Sequence, residues 1–575
     1  MTQSPPEAPP PAPRRSFVGA LAVFGERRVA IMLGLGFAAG LPNFLIFDTM
    51  SAWLRAAGLS LAVISLFSLA TLPYSFKFLW APLVDRTAIP GLTRWLGHRR
   101  SWMLAAQAGV ILSLLLISTG DPAHDLRTMA LFAVLAGFCS ATQDIVVDAW
   151  RIEAADASRQ GAMAAAYQWG YRVANIVAGA APLFLADRIG WRMAYAIMAA
   201  VMALGPLAVL GAPREAQHAI RPVHTDGVPA RPALDLVEWL ARLALLVLAA
   251  ALLGSGLGAR ADLLAGALRA LGDGAQADAL AKAWTAKPNG VWLQLLAVLA
   301  GFAVIGLAAS PIPRVKTRPG VYLFHALGDP LVDFFRRFGR VGWLILALIC
   351  LYRLSDFVLN IMNAFYQDLG FSLTDIAEVR KVFGVAASMV GVFIGGLSVA
   401  RLGVMRSLII GAFALPITNT IFGWLATQGP SMPALFTAIG IDNVVSSYAG
   451  TCLIAYMSSL TSAGFTATQY ALFSSLYSLP GKLLASQSGR IVEGAAQAAE
   501  GSGPLAPLRG LFAATPPQAF ASALAKSHVD PGALGAGYVT FFLYSGAVGI
   551  GAMILTLLVA RLTPGAERAR ETVRI

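Results

Sequence analysis

Charge is scarce in this chain. Asp, Glu, Lys and Arg make up 13% of its 575 residues, about half of what soluble domains carry. That excludes an ordinary water-soluble protein. Cysteine is scarcer still. Cys139, Cys350 and Cys452 all sit in apolar runs, which excludes a disulfide framework or a Cys-based zinc site. The six histidines, His98, His124, His218, His224, His325 and His528, fall in stretches read as loops. An intramembrane histidine relay or metal site is therefore not expected. No G-x-x-x-x-G-K-S/T occurs, because Gly481-Lys482 is followed by Leu483. ATP hydrolysis on a P-loop is excluded. Residues 1–13 are Pro/Ala-rich with no apolar core, and read as a disordered tail rather than a signal peptide. Neither cofactor nor metal is expected.

What the chain has is apolar length: 57% of it is hydrophobic. A helix needs roughly 20 apolar residues to cross a bilayer. Spans are read at 29–55, 59–84, 101–119, 128–150, 163–187 and 190–211. Two more follow at 236–258 and 290–310, then six at 340–366, 374–400, 404–427, 432–460, 465–492 and 535–561. The expected fold is an all-α integral membrane protein in a 6+2+6 order. A tail (1–28) precedes a six-helix bundle (29–212). A linker with two extra transmembrane helices (213–339) joins it to a second six-helix bundle (340–562) and a short tail (563–575). A repeated passage supports the duplication. Ala57-Gly58-Leu59-Ser60-Leu61 and Leu369-Gly370-Phe371-Ser372-Leu373 each precede an apolar helix and a basic loop. Duplicated bundles are how many secondary transporters are built, with the substrate site between the halves.

The net charge of +13 does not point to nucleic acid, since the basic residues are interleaved between apolar helices. They follow the positive-inside rule instead. With both termini cytoplasmic, basic residues favour the cytoplasmic loops roughly two to one. Within the linker, residues 213–235 are Pro/Arg/His-rich. Leu331, Phe334, Phe335 and Phe338 recur at helical spacing, which predicts an amphipathic helix over 321–339 on the cytoplasmic membrane surface. Residues 493–534, rich in Ala, Gly and Pro, are expected to form a mobile external loop.

Charges at bilayer depth are costly and usually functional. Lys77, Arg172 and Lys482 lie deep in spans 2, 5 and 11, and three deep cations suit an anionic substrate. Asp144 and Asp148 share one helix face at i and i+4, with Arg151 three residues on. Buried carboxylates of this kind can carry a proton. Arg353 and Asp356 share a face of span 7, continued by Asn360 and Asn363. Asp48 lies in the outer half of span 1, and Asp442-Asn443 inside span 10. The candidates are thus Gln143, Arg172, Lys482, Lys77, Arg353 and Asn360 for substrate, and Asp144, Asp148, Asp356 and Asp48 for proton coupling. Each is weighed against a plain structural ion pair or helix–helix contact. Gly36/Gly40 and Gly391/Gly395 read as packing positions.

Asp85-Arg86 followed by Arg99-Arg100 resembles the loop signature between spans 2 and 3 of the major facilitator superfamily, and marks these four as a gating loop. Leu72-Pro73-Tyr74-Ser75-Phe76-Lys77-Phe78-Leu79-Trp80-Ala81-Pro82-Leu83-Val84-Asp85-Arg86 and Ala141-Thr142-Gln143-Asp144-Ile145-Val146-Val147-Asp148-Ala149 are similar to the AmpG-type muropeptide permeases. So are Leu369-Gly370-Phe371-Ser372-Leu373 and Gly190-Trp191-Arg192. The resemblance covers roughly residues 29–492. It implies proton-driven import of anionic anhydromuropeptides from periplasm to cytoplasm across the bacterial inner membrane. It also implies a part in peptidoglycan recycling and β-lactamase induction, and a transport role for Gln143. Protons, the muropeptide and the lipid bilayer are then the partners of a chain working as a monomer. Another large anionic solute, such as acetyl-coenzyme A, is the alternative cargo. A membrane-embedded sugar-modifying enzyme is disfavoured, because no catalytic His or carboxylate constellation gathers near a membrane surface. A nutrient sensor would carry an appended signalling domain.

Overall fold

The computed structural model describes residues 22–59, 72–214, 228–257, 261–286, 289–312, 316–357, 361–372, 375–376, 378–485, 488–521, 523–524 and 528–563. Every regular element among them is helical. In a bilayer this is forced, since only a helix satisfies its backbone groups within one segment. Nine described helices are long and apolar enough to cross a membrane: His98–Thr119, Leu126–Glu153, Trp191–Gly211, Pro232–Gly256, Gly290–Ala309, Glu378–Leu402, Val404–Gln428, Met432–Ser459 and Pro531–Leu562. A bent pair, Arg318–Phe338 with Val341–Asp356, makes a tenth candidate, with 111° between its arms. Helices also occupy several other expected positions, among them Arg27–Phe44, the 33-residue Ala157–Ile189 and Thr466–Ala485.

Short turns join successive helices, so they run up and down. The turns at 87–97, 154–156, 403 and 460–465 therefore share one face, the gate face. Close packing is set by glycines. A Cβ at Gly170 would lie 1.9 Å from the Leu33 carbonyl oxygen, and one at Gly36 would lie 2.0 Å from that of Tyr167. Arg27–Phe44 and Ala157–Ile189 thus touch backbone to backbone. Gly391 does the same against Val444, at 2.1 Å. Such contact is how small residues drive association where lipid removes the hydrophobic incentive. Across the halves, a Cβ at Gly161 would meet the Gly396 carbonyl at 2.8 Å.

The helices Pro232–Leu257 and Gly290–Ala309 pair with each other at Gly256 and Gly301. Buried Arg242 donates to the Ser310 carbonyl at 2.9 Å and to that of Ala308, closing the end of Gly290–Ala309 with a cation, the favourable sign there. Only 17% of the apolar window of Pro232–Gly256 is buried, so this pair is peripheral and faces lipid.

Three expectations need correction. The described residues within 493–534 do not form an open loop. Helix Ser488–Ala499 and the 3₁₀ turn Ala506–Phe512 pack on Pro531–Leu562, with Val492, Ala496, Phe512 and Phe520 buried. Small residues read as flexible are what lets this cap approach closely: a Cβ at Gly535 would fall 2.6 Å from the Phe512 ring. The amphipathic helix exists as Arg318–Phe338. It does not merely lie on a surface, because Phe334 is fully buried against Phe473 with ring centroids 5.4 Å apart. Nor do all histidines lie in loops. His98 opens a helix, is buried and bonds the Val84 carbonyl at 2.7 Å, while His325 lies within Arg318–Phe338.

Gly170→Ala should lower stability by about 1–3 kcal/mol, because a methyl has no room against backbone. Gly179→Ala on the same helix has nothing within 4 Å, and should be neutral or stabilising, since Ala outranks Gly in a helix by about 1 kcal/mol. Melting temperatures of the two variants in detergent should fall and hold, respectively.

Candidate functional site

The polar residues collect where helices break. Leu72–Phe76 passes through a 3₁₀ turn at Lys77–Leu79 before Ala81–Arg86. Val341–Leu351 is interrupted at Tyr352-Arg353 before Leu354–Phe357. Glu378–Phe383 is a π-helical turn at the head of Gly384–Leu402. Irregular backbone at membrane depth survives only inside protein or against a cavity, and broken helices mark transporter sites.

The first group lies on Leu126–Glu153. Lys77 Nζ stands 3.9 Å from Asp148 Oδ2, and Arg151 donates to Asp148 Oδ1 at 3.3 Å. Asp148 is thus shared by two cations. Arg151 reaches on to Ser458 Oγ at 2.9 Å and lies 5.2 Å over the Tyr470 ring, both on C-terminal helices. Asp144 is half-buried, and its Oδ1 has no hydrogen-bond partner among the described residues. Tyr74, Tyr167 and Tyr171 surround it, with Tyr74 donating to Ser140 at 2.6 Å and Tyr171 accepting from Asn43 at 2.8 Å. Gln143 is fully buried with neither amide atom partnered among the described residues.

The second group lines a cavity of about 330 Å³. Arg172 enters from Ala157–Ile189, while Asp356, Tyr366, Arg380, Asp442, Asn443 and Ser446 enter from C-terminal helices. Arg353 is bonded to Asp356 at 3.0 Å through Nε, and Ser446 donates to the same carboxylate at 2.7 Å. Arg380 donates to Asn363 and lies 5.8 Å over the Tyr366 ring. Arg172 has no ion pair or hydrogen bond among the described residues.

The third group lies at the gate face. Asp85 is wholly buried and sits at the start of Thr466–Ala485. It accepts from the backbone N–H of Ala467 at 3.2 Å, from that of Thr468 at 2.8 Å and from the Thr468 hydroxyl at 2.7 Å. Arg99, also wholly buried, donates to Asp85 at 2.7 Å and to Glu153 at 2.6 Å. Arg86 donates to the His325 carbonyl at 2.9 Å and to Asp329 at 3.3 Å. From the same linker helix, Asp333 accepts from Ser462 at 2.7 Å and from Gln469 at 3.0 Å. Arg337 donates to the Leu460 carbonyl at 2.9 Å. An anion at a helix N-terminus is stabilised by about 0.3–2 kcal/mol, and breaking a buried ion pair costs about 3–5 kcal/mol. The charged pair therefore outweighs the cap.

The candidates thus divide. Lys77 joins Asp148, Arg353 joins Asp356, and Arg172 stands in the cavity. Asp85, Arg86 and Arg99 meet at the gate face, whereas Arg100 points elsewhere, to the Leu210 carbonyl at 3.3 Å. Asn360 and the side chains of Asp48 and Lys482 lie outside the described residues. Tyr366, Arg380, Ser446, Thr468 and Glu153 were not foreseen. Arg380 left a signal, a cation near the head of an apolar span. Thr468 and Glu153 left none, because they are 383 and 54 residues from the groups they bind.

Arg99→Ala should leave Asp85 buried with its strongest partner gone and destabilise the chain by about 3–5 kcal/mol. Adding Asp85→Ala should recover part of that loss. A double-mutant cycle on detergent melting temperature should show this coupling, and additive losses would mean the pair is not coupled.

The family model of the Major Facilitator Superfamily matches residues 32–484. The Escherichia coli K12 anhydromuropeptide permease is 29% identical over 546 residues, covering 94% of this chain and 82% of the relative. A Rickettsia felis protein named as transporter AmpG 4 is 28% identical over 473 residues, covering 82% of this chain and 91% of the relative. Among solved structures, the proton:xylose symporter XylE bound to 6-bromo-6-deoxy-D-glucose superposes with a TM-score of 0.50 at 12% identity. It covers 92% of this chain and 94% of its own, a likeness of fold alone. With helices broken at buried charges and a polar cavity between its two ends, the chain belongs to the Major Facilitator Superfamily and is a multi-pass membrane transporter.

Proposed function

We propose that the chain imports anhydromuropeptides by alternating access, driven by the proton gradient. The observation that carries this reading is the cavity between the halves. It holds Arg172, unpaired among the described residues, opposite a C-terminal wall of Asp356, Asp442 and Ser446. A cation held at membrane depth without a partner suits an anionic cargo. The name of the Escherichia coli relative supports muropeptide as that cargo. At about 330 Å³, the cavity lies at the small end of ligand sites, and holds the charged end of such a molecule rather than all of it.

On this reading the gate face is cytoplasmic, both termini lie inside, the order is 6+2+6 and the membrane is the bacterial inner membrane. The Asp85–Thr468 contacts then close the cytoplasmic side of an outward-facing state. Asp144 is the proton carrier, since its Oδ1 is unpartnered among the described residues while Asp148 is held by Lys77 and Arg151. Gln143, the third neighbour in the same turn, contacts substrate once the helices around it move.

The direct test is uptake of labelled anhydromuropeptide by proteoliposomes under an imposed pH gradient. Accumulation above equilibrium that an uncoupler abolishes is expected, and no uptake would overturn the proposal. Asp144→Asn should stop accumulation yet leave counterflow exchange. If it still concentrates substrate, another carboxylate carries the proton. Cysteines replacing Ala275 and Thr515 should label from outside, and one replacing Thr225 from inside. Outside labelling at 225 would invert the linker topology.

A further inference from the structure

Several charges inside this protein come in pairs among the described residues. Arg99 holds Asp85 at 2.7 Å, Lys77 approaches Asp148 at 3.9 Å, and Arg353 holds Asp356. Two charges that share the cavity break the pattern. Arg172 has no hydrogen bond or ion pair among the described residues, and Asp442 Oδ1 is buried with no hydrogen-bond partner among them. They are opposite in sign, line one cavity, and do not pair with each other. The charges that act on Asp442 are Asp356, Arg353 and Arg380. Arg353 is committed to Asp356, while Arg380 is bonded to Asn363. A buried charge without a partner is costly. Two of opposite sign that line one cavity without pairing describe the negative image of a ligand carrying both signs.

We propose that Arg172 and Asp442 form a subsite for a zwitterionic amino-acid end, the guanidinium taking its carboxylate and Asp442 its ammonium. This rests on the importer reading and specifies which end of the cargo enters the cavity. Tyr366, Met362, Phe422 and Ile439 supply the apolar wall for the carbon chain between the charges. The local charges are Arg172, Arg353 and Arg380 against Asp356 and Asp442. This excess of one cation leaves room for a second carboxylate on the ligand.

The test is equilibrium binding to the full chain in lipid nanodiscs. Three synthetic probes share one disaccharide tripeptide ending in a free α-amino-acid group. One is unmodified, one is N-acetylated at that amine and one is amidated at that carboxylate. Wild type should bind both modified forms roughly tenfold to a hundredfold more weakly, the loss of one charge-assisted contact. Asp442→Asn should bind free and acetylated forms alike while still rejecting the amide. Arg172→Gln should bind free and amidated forms alike while still rejecting the acetylated form. Asp442→Glu should restore discrimination and shows that the site folds. Equal binding of free and acetylated probes by wild type would overturn the subsite, as would an equal loss for all three probes in Asp442→Asn. No binding of the unmodified probe by wild type would instead sink the muropeptide reading, and the subsite with it.

Discussion

The carboxylate of Asp85 carries a heavy structural demand. It is wholly buried, so its charge must be met inside the protein. It is met from two directions, by Arg99 behind it and by the first N–H groups of Thr466–Ala485 in front. The N-terminal helices supply the anion and the C-terminal helices supply the helix end. The first N–H groups of Thr466–Ala485 thus find their acceptor on the other half. Around this contact the gate face assembles. Glu153 secures Arg99, and the linker helix Arg318–Phe338 ties Arg86 to Gln469 and Ser462 through Asp329 and Asp333.

The strength of this contact suits its proposed work. A helix cap and a buried pair amount to a few kcal/mol, within reach of what differential ligand binding can offset. The glycine contact of Gly161 with Gly396 adds packing that must separate as a unit. Farther along Ala157–Ile189, Arg172 lines a polar cavity with residues of C-terminal helices. Had the linker been only a tether, nothing on it would bond to both halves, yet Asp329 and Asp333 do so.

Much of this was legible in the sequence, and the limits have physical reasons. Apolar runs found the helices, because lipid leaves few alternatives. The i, i+4 spacing placed Asp144 and Asp148 together, since helix geometry is local. Lys77 was legible as a deep cation but not as the partner of Asp148, which is a tertiary fact. The capping of Thr466–Ala485 by Asp85 bridges more than 380 residues and leaves no local mark. The segment 493–534 was misread because the same small residues serve loops and close packing. The cavity's C-terminal wall was half legible: Asp356 and Asp442 stand out in apolar helices, whereas Tyr366 and Ser446 look like any helix residue.

The central claim is that Asp85 holds one face of the transporter shut. Spin labels at Trp95 and Leu402, exposed positions near that face on opposite halves, measure it in a cysteine-free background in nanodiscs. The account predicts one narrow, short distance in the parent chain and a second, longer population in Asp85→Ala. The same narrow distance in both would contradict it.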